Sequence, residues 1–156
     1  MRILLLAQKT VYSEIIIRKF CEIENIEICG LIFSNALFNN KTRMESLKMI
    51  IKKGGLGILL EKTIEGIFSH SFSNNYSFPV INTNNINSKK TIEIIKGLKP
   101  DLIFSIYFNQ IIKEELLTIP SYGLVNIHPS YLPEYRGVGP TFWVLANNEK
   151  IGRAHV

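Results

Sequence analysis

The sequence predicts an α/β fold in which a mostly parallel sheet is flanked by helices. Short apolar runs of the kind that form strands buried on both faces recur at residues 2–7, 26–34, 78–83, 101–107 and 122–127. Segments with apolar residues at helical spacing lie between several of these runs. No stretch is long and apolar enough for a membrane span or a signal peptide, so we expect a cytoplasmic protein.

The first 34 residues predict strand, helix and strand in that order. Residues 2–7 are continuously apolar, and residues 26–34 are the next apolar run. Between them, residues 11–25 carry Ile16, Phe20 and Ile23 at helical spacing, and Asn25 is the expected end of the helix. This is the opening βαβ unit of a parallel sheet, with the usual right-handed crossover.

The rest of the chain continues the alternation. We predict helices at residues 41–53, 56–68 and 87–100 and a helical turn at 113–118, with strands at 78–83, 101–107 and 122–127. In the third helix, Ile92, Ile95 and Leu98 lie behind an Asn or Ser cap, and Pro100 ends it. Four or five strands in this order form a Rossmann-like sheet, whose ligands lie beyond the carboxyl ends of the strands. Residues 107–110 and 126–128 should therefore border a cleft.

Composition excludes several classes of protein. The chain is 46% hydrophobic and 20% charged, as in ordinary globular proteins. Its net charge of +5 comes from scattered lysines and arginines, which indicates a solvated surface more than a nucleic-acid interface. Cys21 and Cys29 are too few and too isolated for a disulfide framework or a zinc site.

Asn126 and His128 are the candidate catalytic residues. They lie two apart on a predicted strand, so their side chains point to the same face. Pro129 favours an extended backbone at His128, which holds the imidazole at the strand end. An amide and a neutral imidazole can both donate hydrogen bonds to a developing oxyanion, and the imidazole can also move a proton. This pair suits acyl transfer to an amine.

The segment "NIHPSYLPEYRGVGPTFW" that contains this pair resembles the folate-dependent formyltransferase family. The family pattern is Asn-x-His, then Ser-x-Leu-Pro, then Arg-Gly and a proline that opens a helix. The preceding segment "LKPDLIFSIYFNQIIKEELLTIPSYGLVNIHPS" is also similar to the family, so the resemblance covers residues 98–150 strongly and the amino-terminal half only in pattern.

The resemblance implies 10-formyltetrahydrofolate as formyl donor, no metal, and Asn126 and His128 as two members of an Asn-His-Asp catalytic set. It implies that the donor contacts Phe108, Asn109, Gln110, Ile111 and Ile112. It places Ser130, Leu132, Pro133, Arg136 and Gly137 in the loop beside the catalytic pair. Arg136 suits an anion or a structural ion pair equally well, and Trp143 suits the core.

The carboxyl end departs from the family pattern, because no Asp follows Asn126 and His128. The last six residues, "IGRAHV", can be back-translated to the start of a common sequencing adapter. We therefore expect residues 1–149 to be part of a formyltransferase catalytic domain, truncated at its carboxyl end, and residues 150–156 to be a non-native read-through tail. Such a fragment should be inactive and should have an exposed sheet edge.

The sequence leaves several alternatives for the acceptor of the formyl group and for the reaction. The first turn reads "AQKTVYS" where methionyl-tRNA formyltransferases have a Gly-Thr-Pro type turn, and residues 41–68 predict two helices in place of a basic loop. A small-molecule amine, such as a nucleotide sugar, is therefore favoured over methionyl-tRNA. Formyltetrahydrofolate hydrolase is a further alternative, although Met1 leads directly into the first strand. The last alternative is a Rossmann-like module that only binds a nucleotide. Against it, no Gly-x-Gly-x-x-Gly motif, which would bind the phosphates, follows the first strand.

Overall fold

The computed structural model describes residues 1–35 and 75–128, Val144, Asn147 and Asn148, and the backbone of residues 153–155. The helices predicted at 41–53 and 56–68 lie outside the described residues. The same holds for Ser130, Leu132, Pro133, Arg136, Gly137 and Trp143.

The strands are β1 (Arg2–Gln8), β2 (Glu27–Ser34), β3 (Val80–Thr83), β4 (Leu102–Ile106), β5 (Leu124–His128) and β6 (Arg153–His155). The helices are α1 (Val11–Cys21), α2 (Lys89–Leu98) and α3 (Glu114–Leu117). The sheet order is β3-β2-β1-β4-β5-β6; the first five strands are parallel and β6 pairs antiparallel with β5. The predicted α/β class and mostly parallel sheet are confirmed.

Both faces of the central strand β1 are buried, which explains its continuous apolar run. Leu4 and Leu6 belong to a core cluster that includes Ile95 of α2. Leu5, on the opposite face, belongs to a second cluster with Ile17 of α1. The sheet therefore separates an α2 side from an α1 side, and residues of neighbouring strands that are in register share a side.

Helix α1 is shorter than predicted. Thr10 caps its amino end in a capping box with Ser13, but the helix ends at Cys21, before the predicted stop at Asn25. Ile23 is consequently 50% exposed and not part of the core stripe. The reason lies in the sheet: β2 must begin level with Arg2 of β1, so the chain turns back through Asn25, whose φ is 66°.

Helix α2 has the predicted signals at both ends. Ser88, one of the two candidate caps, accepts a hydrogen bond from the Thr91 backbone N–H. The helix ends at Leu98, and Lys99 adopts the left-handed conformation with φ 48° just before Pro100. Ile92 and Ile95 are buried as expected.

The outer edge of β5 differs from the exposed edge that we predicted. Its last three residues, Asn126 to His128, pair with β6. An edge strand presents unpaired backbone groups that can bind any extended segment in reach, irrespective of that segment's side chains. The origin of residues 150–156 stays a prediction.

A buried carboxylate joins α1 to the segment that precedes β3. Glu14 is 6% exposed and accepts a hydrogen bond of 2.6 Å from the Tyr76 hydroxyl, while Arg18 Nε lies 3.3 Å from its other oxygen. Burial and this bond to Glu14 raise the pKa of Tyr76 well above its usual range. Glu14 is thus a structural group on the α1 side of the sheet.

We predict opposite effects for two glycine substitutions. Gly123→Ala should destabilise the fold by about 1 kcal/mol, because Gly123 has φ 75° and a side chain is strained there even in open space. Gly97→Ala, also without neighbours within 4 Å but inside α2, should stabilise it by about 0.5–1 kcal/mol. Urea unfolding of both variants measures the difference; equal effects would contradict the backbone argument.

We also predict that part of the loss of stability at alkaline pH depends on Tyr76. Because the folded state holds the Tyr76 proton more tightly than the unfolded state, its contribution is complete below about pH 10 and is lost as pH rises above that value. Thermal melts of the wild type and Tyr76→Phe from pH 8 to 11 should show a shallower decline for the variant. Tyr122→Phe, at a 71% exposed position, is the matched control and should follow the wild type.

Candidate functional site

The carboxyl ends of β1 and β4 lie at the point where the strand order of the sheet reverses. From β1 the chain builds outward through β2 and β3, whereas β4 and β5 extend to the other side. Ligands of open parallel sheets bind at such a switch point. The candidate site lies here and at the adjoining end of β5.

Asn126 and His128 lie on β5 at this edge. Asn126 is in register with Ser105 of β4, and His128 is the last residue of β5. Both side chains are half-buried. Because residues two apart on a strand share a face, and Leu124 packs against the α2-side cluster, the pair projects from the α2 side. The strands β4 and β5 are neighbours in the sheet.

The loop that follows β4 contains the five residues expected to contact the donor, and their side chains differ in environment. Phe108 and Ile112 pack against the α2-side core, whereas Ile111 is 69% exposed. The Asn109 side-chain oxygen is buried, and Gln110 is only 7% exposed. Among these apolar side chains, Ile111 is the exposed one that can contact a ligand directly.

Ser34 and Asn87 hold this loop in place through hydrogen bonds that the sequence analysis did not predict. Gln110 donates from Nε2 to Ser34 Oγ at 2.7 Å. Asn87 donates from Nδ2 to the Ile111 carbonyl oxygen at 2.7 Å and accepts from the Lys113 N–H at 2.9 Å. Asn87 is the other candidate cap of α2, but its sequence position alone does not reveal a partner more than twenty residues away.

A pair of tyrosines flanks the switch point. Tyr107 directly follows β4 and has φ 49°, a conformation that is costly for a bulky residue and often found at functional sites. Its ring centroid lies 6.1 Å from that of Tyr12, which is in the first turn of α1 and 60% exposed. Burial, and to a lesser extent Tyr12, raise the pKa of Tyr107. These tyrosines present a ring surface next to β1 and β4.

Asp101 is the single aspartate of the 156-residue sequence, and it lies at the other end of the sheet. Its Oδ2 accepts a hydrogen bond of 2.7 Å from the Arg2 backbone N–H, at the amino ends of β1 and β4. The length of β4, roughly 15 Å, separates it from the level of His128. Asp101 is therefore not the third member of the expected Asn-His-Asp set.

A cavity of about 480 Å³ also lies at this amino end, lined by Lys96, Lys99, Asp101 and Glu115 among others. It is remote from Asn126 and His128. The cleft expected at the carboxyl end stays a prediction, since residues 129–140, which would form one wall, lie outside the described part of the chain.

Two further expectations concern metals and membranes. Within residues 1–35 and 75–128, no three His, Cys, Asp or Glu side chains are grouped closely enough to hold a metal ion. No helix among the described residues has the length and apolar character needed to cross a membrane.

Comparison with known proteins gives a family match over most of the chain. A family model described as formyl transferase matches residues 32–153. Methionyl-tRNA formyltransferase of Clostridioides difficile (strain 630) is 36% identical over 127 residues, which are 81% of this chain and 35% of that protein. The bifunctional polymyxin resistance protein ArnA of Wigglesworthia glossinidia brevipalpis is 48% identical over 75 residues, which are 48% of this chain and 12% of that protein. The chain thus spans about a third or less of the length of these two relatives.

Solved structures share the fold. Phosphoribosylglycinamide formyltransferase from Anaplasma phagocytophilum superimposes with a TM-score of 0.58 and 16% identity, covering 99% of this chain and 62% of that one. A formyltetrahydrofolate deformylase from Pseudomonas syringae pv. tomato has the same TM-score with 14% identity, covering 99% of this chain and 45% of that one. The family model matches the segment that contains β4, β5, Asn126 and His128. The chain belongs to the formyl transferase family.

Proposed function

We propose that residues 1–149 are part of an enzyme that transfers a formyl group from 10-formyltetrahydrofolate to a primary amine on a small molecule, such as a nucleotide sugar. The observation that carries the proposal is the position of Asn126 and His128 at the carboxyl end of β5, next to the loop that follows β4. Family membership supports the formyl transfer.

The chemistry of the pair follows from its donors. As the amine nitrogen attacks the formyl carbon, the carbonyl oxygen gains negative charge, and the Asn126 amide and the His128 imidazole donate hydrogen bonds to it. The bond from the formyl carbon to the folate nitrogen then breaks. His128 can take the proton that the amine loses and return it to the leaving folate nitrogen.

The folate would bind against the loop after β4. Ile111 offers an exposed apolar side chain for a flat ring, and Phe108 and Ile112 fix the loop in the core. As the family resemblance implies, Ser130, Leu132 and Pro133 would shape the wall beside Asn126 and His128, and Arg136 and Gly137 would belong to the same loop. By the intact protein we mean the product of the gene that contains residues 1–149. The Asp that completes the Asn-His-Asp set would follow residue 149 in that protein.

The acceptor would lie at the switch point, beside Tyr12 and Tyr107. Their rings suit a flat or sugar ring, which supports a nucleotide-sugar acceptor. Methionyl-tRNA is the second candidate, because the relative that matches 81% of this chain is named a methionyl-tRNA formyltransferase. Transfer of the formyl group to water is a third candidate, supported by the fold shared with a formyltetrahydrofolate deformylase. A catalytically inactive binding module is the remaining alternative.

In the intact protein, we predict that His128→Ala lowers turnover by about 10²–10⁴-fold, since it removes both a proton-transfer group and an oxyanion donor. Binding of 5-formyltetrahydrofolate, the stable isomer of the donor, should change by less than about threefold. Steady-state kinetics and isothermal titration measure the two quantities. Tyr122→Phe, at an exposed position at the opposite end of the sheet, is the control. Near-normal turnover by His128→Ala would refute the catalytic assignment.

The acceptor can be identified by competition between substrates. With 10-formyltetrahydrofolate present, the intact protein should formylate an amino group on a nucleotide-linked sugar with a higher kcat/KM than methionyl-tRNA. Mass spectrometry of both products measures the ratio. Preference for methionyl-tRNA would select the second candidate, and formate release without either acceptor would select the third. The 156-residue chain itself should show none of these activities, because it lacks the Asp.

A further inference from the structure

The loop after β4 is attached to the turn between β3 and α2 by two amide side chains, Gln110 and Asn87, which we call the amide clamp. Gln110 Oε1 accepts from the Ile86 N–H at 2.8 Å, and its Nε2 donates to Ser34 Oγ at 2.7 Å. Gln110 thereby joins three elements: the loop itself, the end of β2 and the turn before α2. Asn87 adds the two hydrogen bonds to the backbone of Ile111 and Lys113.

The orientation of the Gln110 amide is determined by its surroundings. The Ile86 backbone N–H can only donate, so it must face the Gln110 amide oxygen. The NH₂ group of Gln110 is therefore directed to Ser34. Gln110 is 7% and Ser34 6% exposed, so water cannot readily replace either bond. A buried polar group without its partner is costly, which makes this connection specific.

The clamp acts on a segment that regular secondary structure does not hold. Residues 107–113 lie between β4 and α3, and their backbone path begins with the left-handed Tyr107. Phe108 and Ile112 provide apolar contacts to the core, but apolar contacts do not determine the direction of peptide groups. Hydrogen bonds from Gln110 and Asn87 do, because they depend on the direction of donor and acceptor.

We infer that Gln110 and Asn87 are positioning residues for the formyl donor. They act by holding the peptide groups and Ile111 of this loop in the orientation that binds the folate, without themselves reacting. The inference rests on the proposed function, since that function places the donor at this loop. A loop that is ordered before binding loses less conformational freedom when the ligand arrives, so the clamp raises affinity for the donor specifically.

The test compares Gln110→Met with the wild type in the intact protein. Methionine keeps approximately the volume and removes both hydrogen bonds. The KM for 10-formyltetrahydrofolate and the Kd for 5-formyltetrahydrofolate should rise by about tenfold or more, while kcat and the KM of the amine acceptor change by less than about threefold. Hydrogen exchange of the amides at 108–113 should become faster in the variant without ligand.

Two more variants separate positioning from general loss of stability. Gln110→Glu keeps a group that can accept from the Ile86 N–H and bond to the Ser34 hydroxyl, so it should retain donor affinity much better than Gln110→Met. Tyr76→Phe is the matched control, because it also removes a hydrogen bond from a partly buried group, but on the α1 side. It should lower the Tm and leave the KM of the donor unchanged.

The outcomes distinguish the two proposals. A wild-type protein that neither binds nor uses the folate would refute the proposed function and the clamp's role with it. A wild type that uses the donor, with an unchanged donor KM in Gln110→Met, would refute the clamp alone. Equal rises in donor and acceptor KM would also refute it, as general loosening. If Gln110→Met does not fold, Asn87→Ala decides, since Asn87 is only half-buried and its loss should give the same donor-specific rise.

Discussion

The parallel pairing of β4 with β5 is the interaction on which the site depends. It sets Asn126 level with Ser105 and brings the loop after β4 to the same edge of the sheet as His128. The two strands are separated in the chain by α3, so their chemistry-bearing ends meet only because parallel strands start and finish together. A one-residue shift in this register would turn Asn126 and His128 to the α1 side, away from Phe108 and Ile112 of the loop after β4.

The two ends of the sheet differ in the hydrogen bonds that stabilise them. At the amino end, polar groups satisfy one another: Asp101 accepts from the Arg2 backbone, and Arg2 also donates to the Leu98 carbonyl oxygen at 3.1 Å. At the carboxyl end, Gln110 and Asn87 use side-chain amides to hold a loop that has no ladder of its own. Polar contacts thus hold the amino end together, and the loop that we propose to bind the donor lies at the opposite end, as is usual when connecting loops are supported by a rigid sheet.

Side-chain hydrogen bonds also explain why the buried polar groups are not all candidates for catalysis. Glu14 is a buried carboxylate on the α1 side of the sheet, but each of its oxygens already has a partner. Tyr76 donates to one oxygen and Arg18 to the other. By contrast, Asn126 and His128 are half-buried at the carboxyl end of the sheet, beside the point where the strand order reverses. Position relative to the switch point, more than burial alone, therefore distinguishes the candidate catalytic residues from a structural group.

The sequence by itself determined the type and order of β1 to β5 and of the three helices, because the spacing of apolar residues reflects which side chains are buried. It also identified the family through the motif that contains Asn126 and His128, but it did not predict β6. It misplaced the end of α1 and the environment of Ile23, and it did not find the hydrogen bonds that join Asn87 and Ser34 to the loop after β4. Only the tertiary structure decided these points, as well as which of residues 108–112 turn inward and that the edge of β5 is paired. Such features depend on strand order and on hydrogen bonds between distant segments, which leave no periodic trace along the chain.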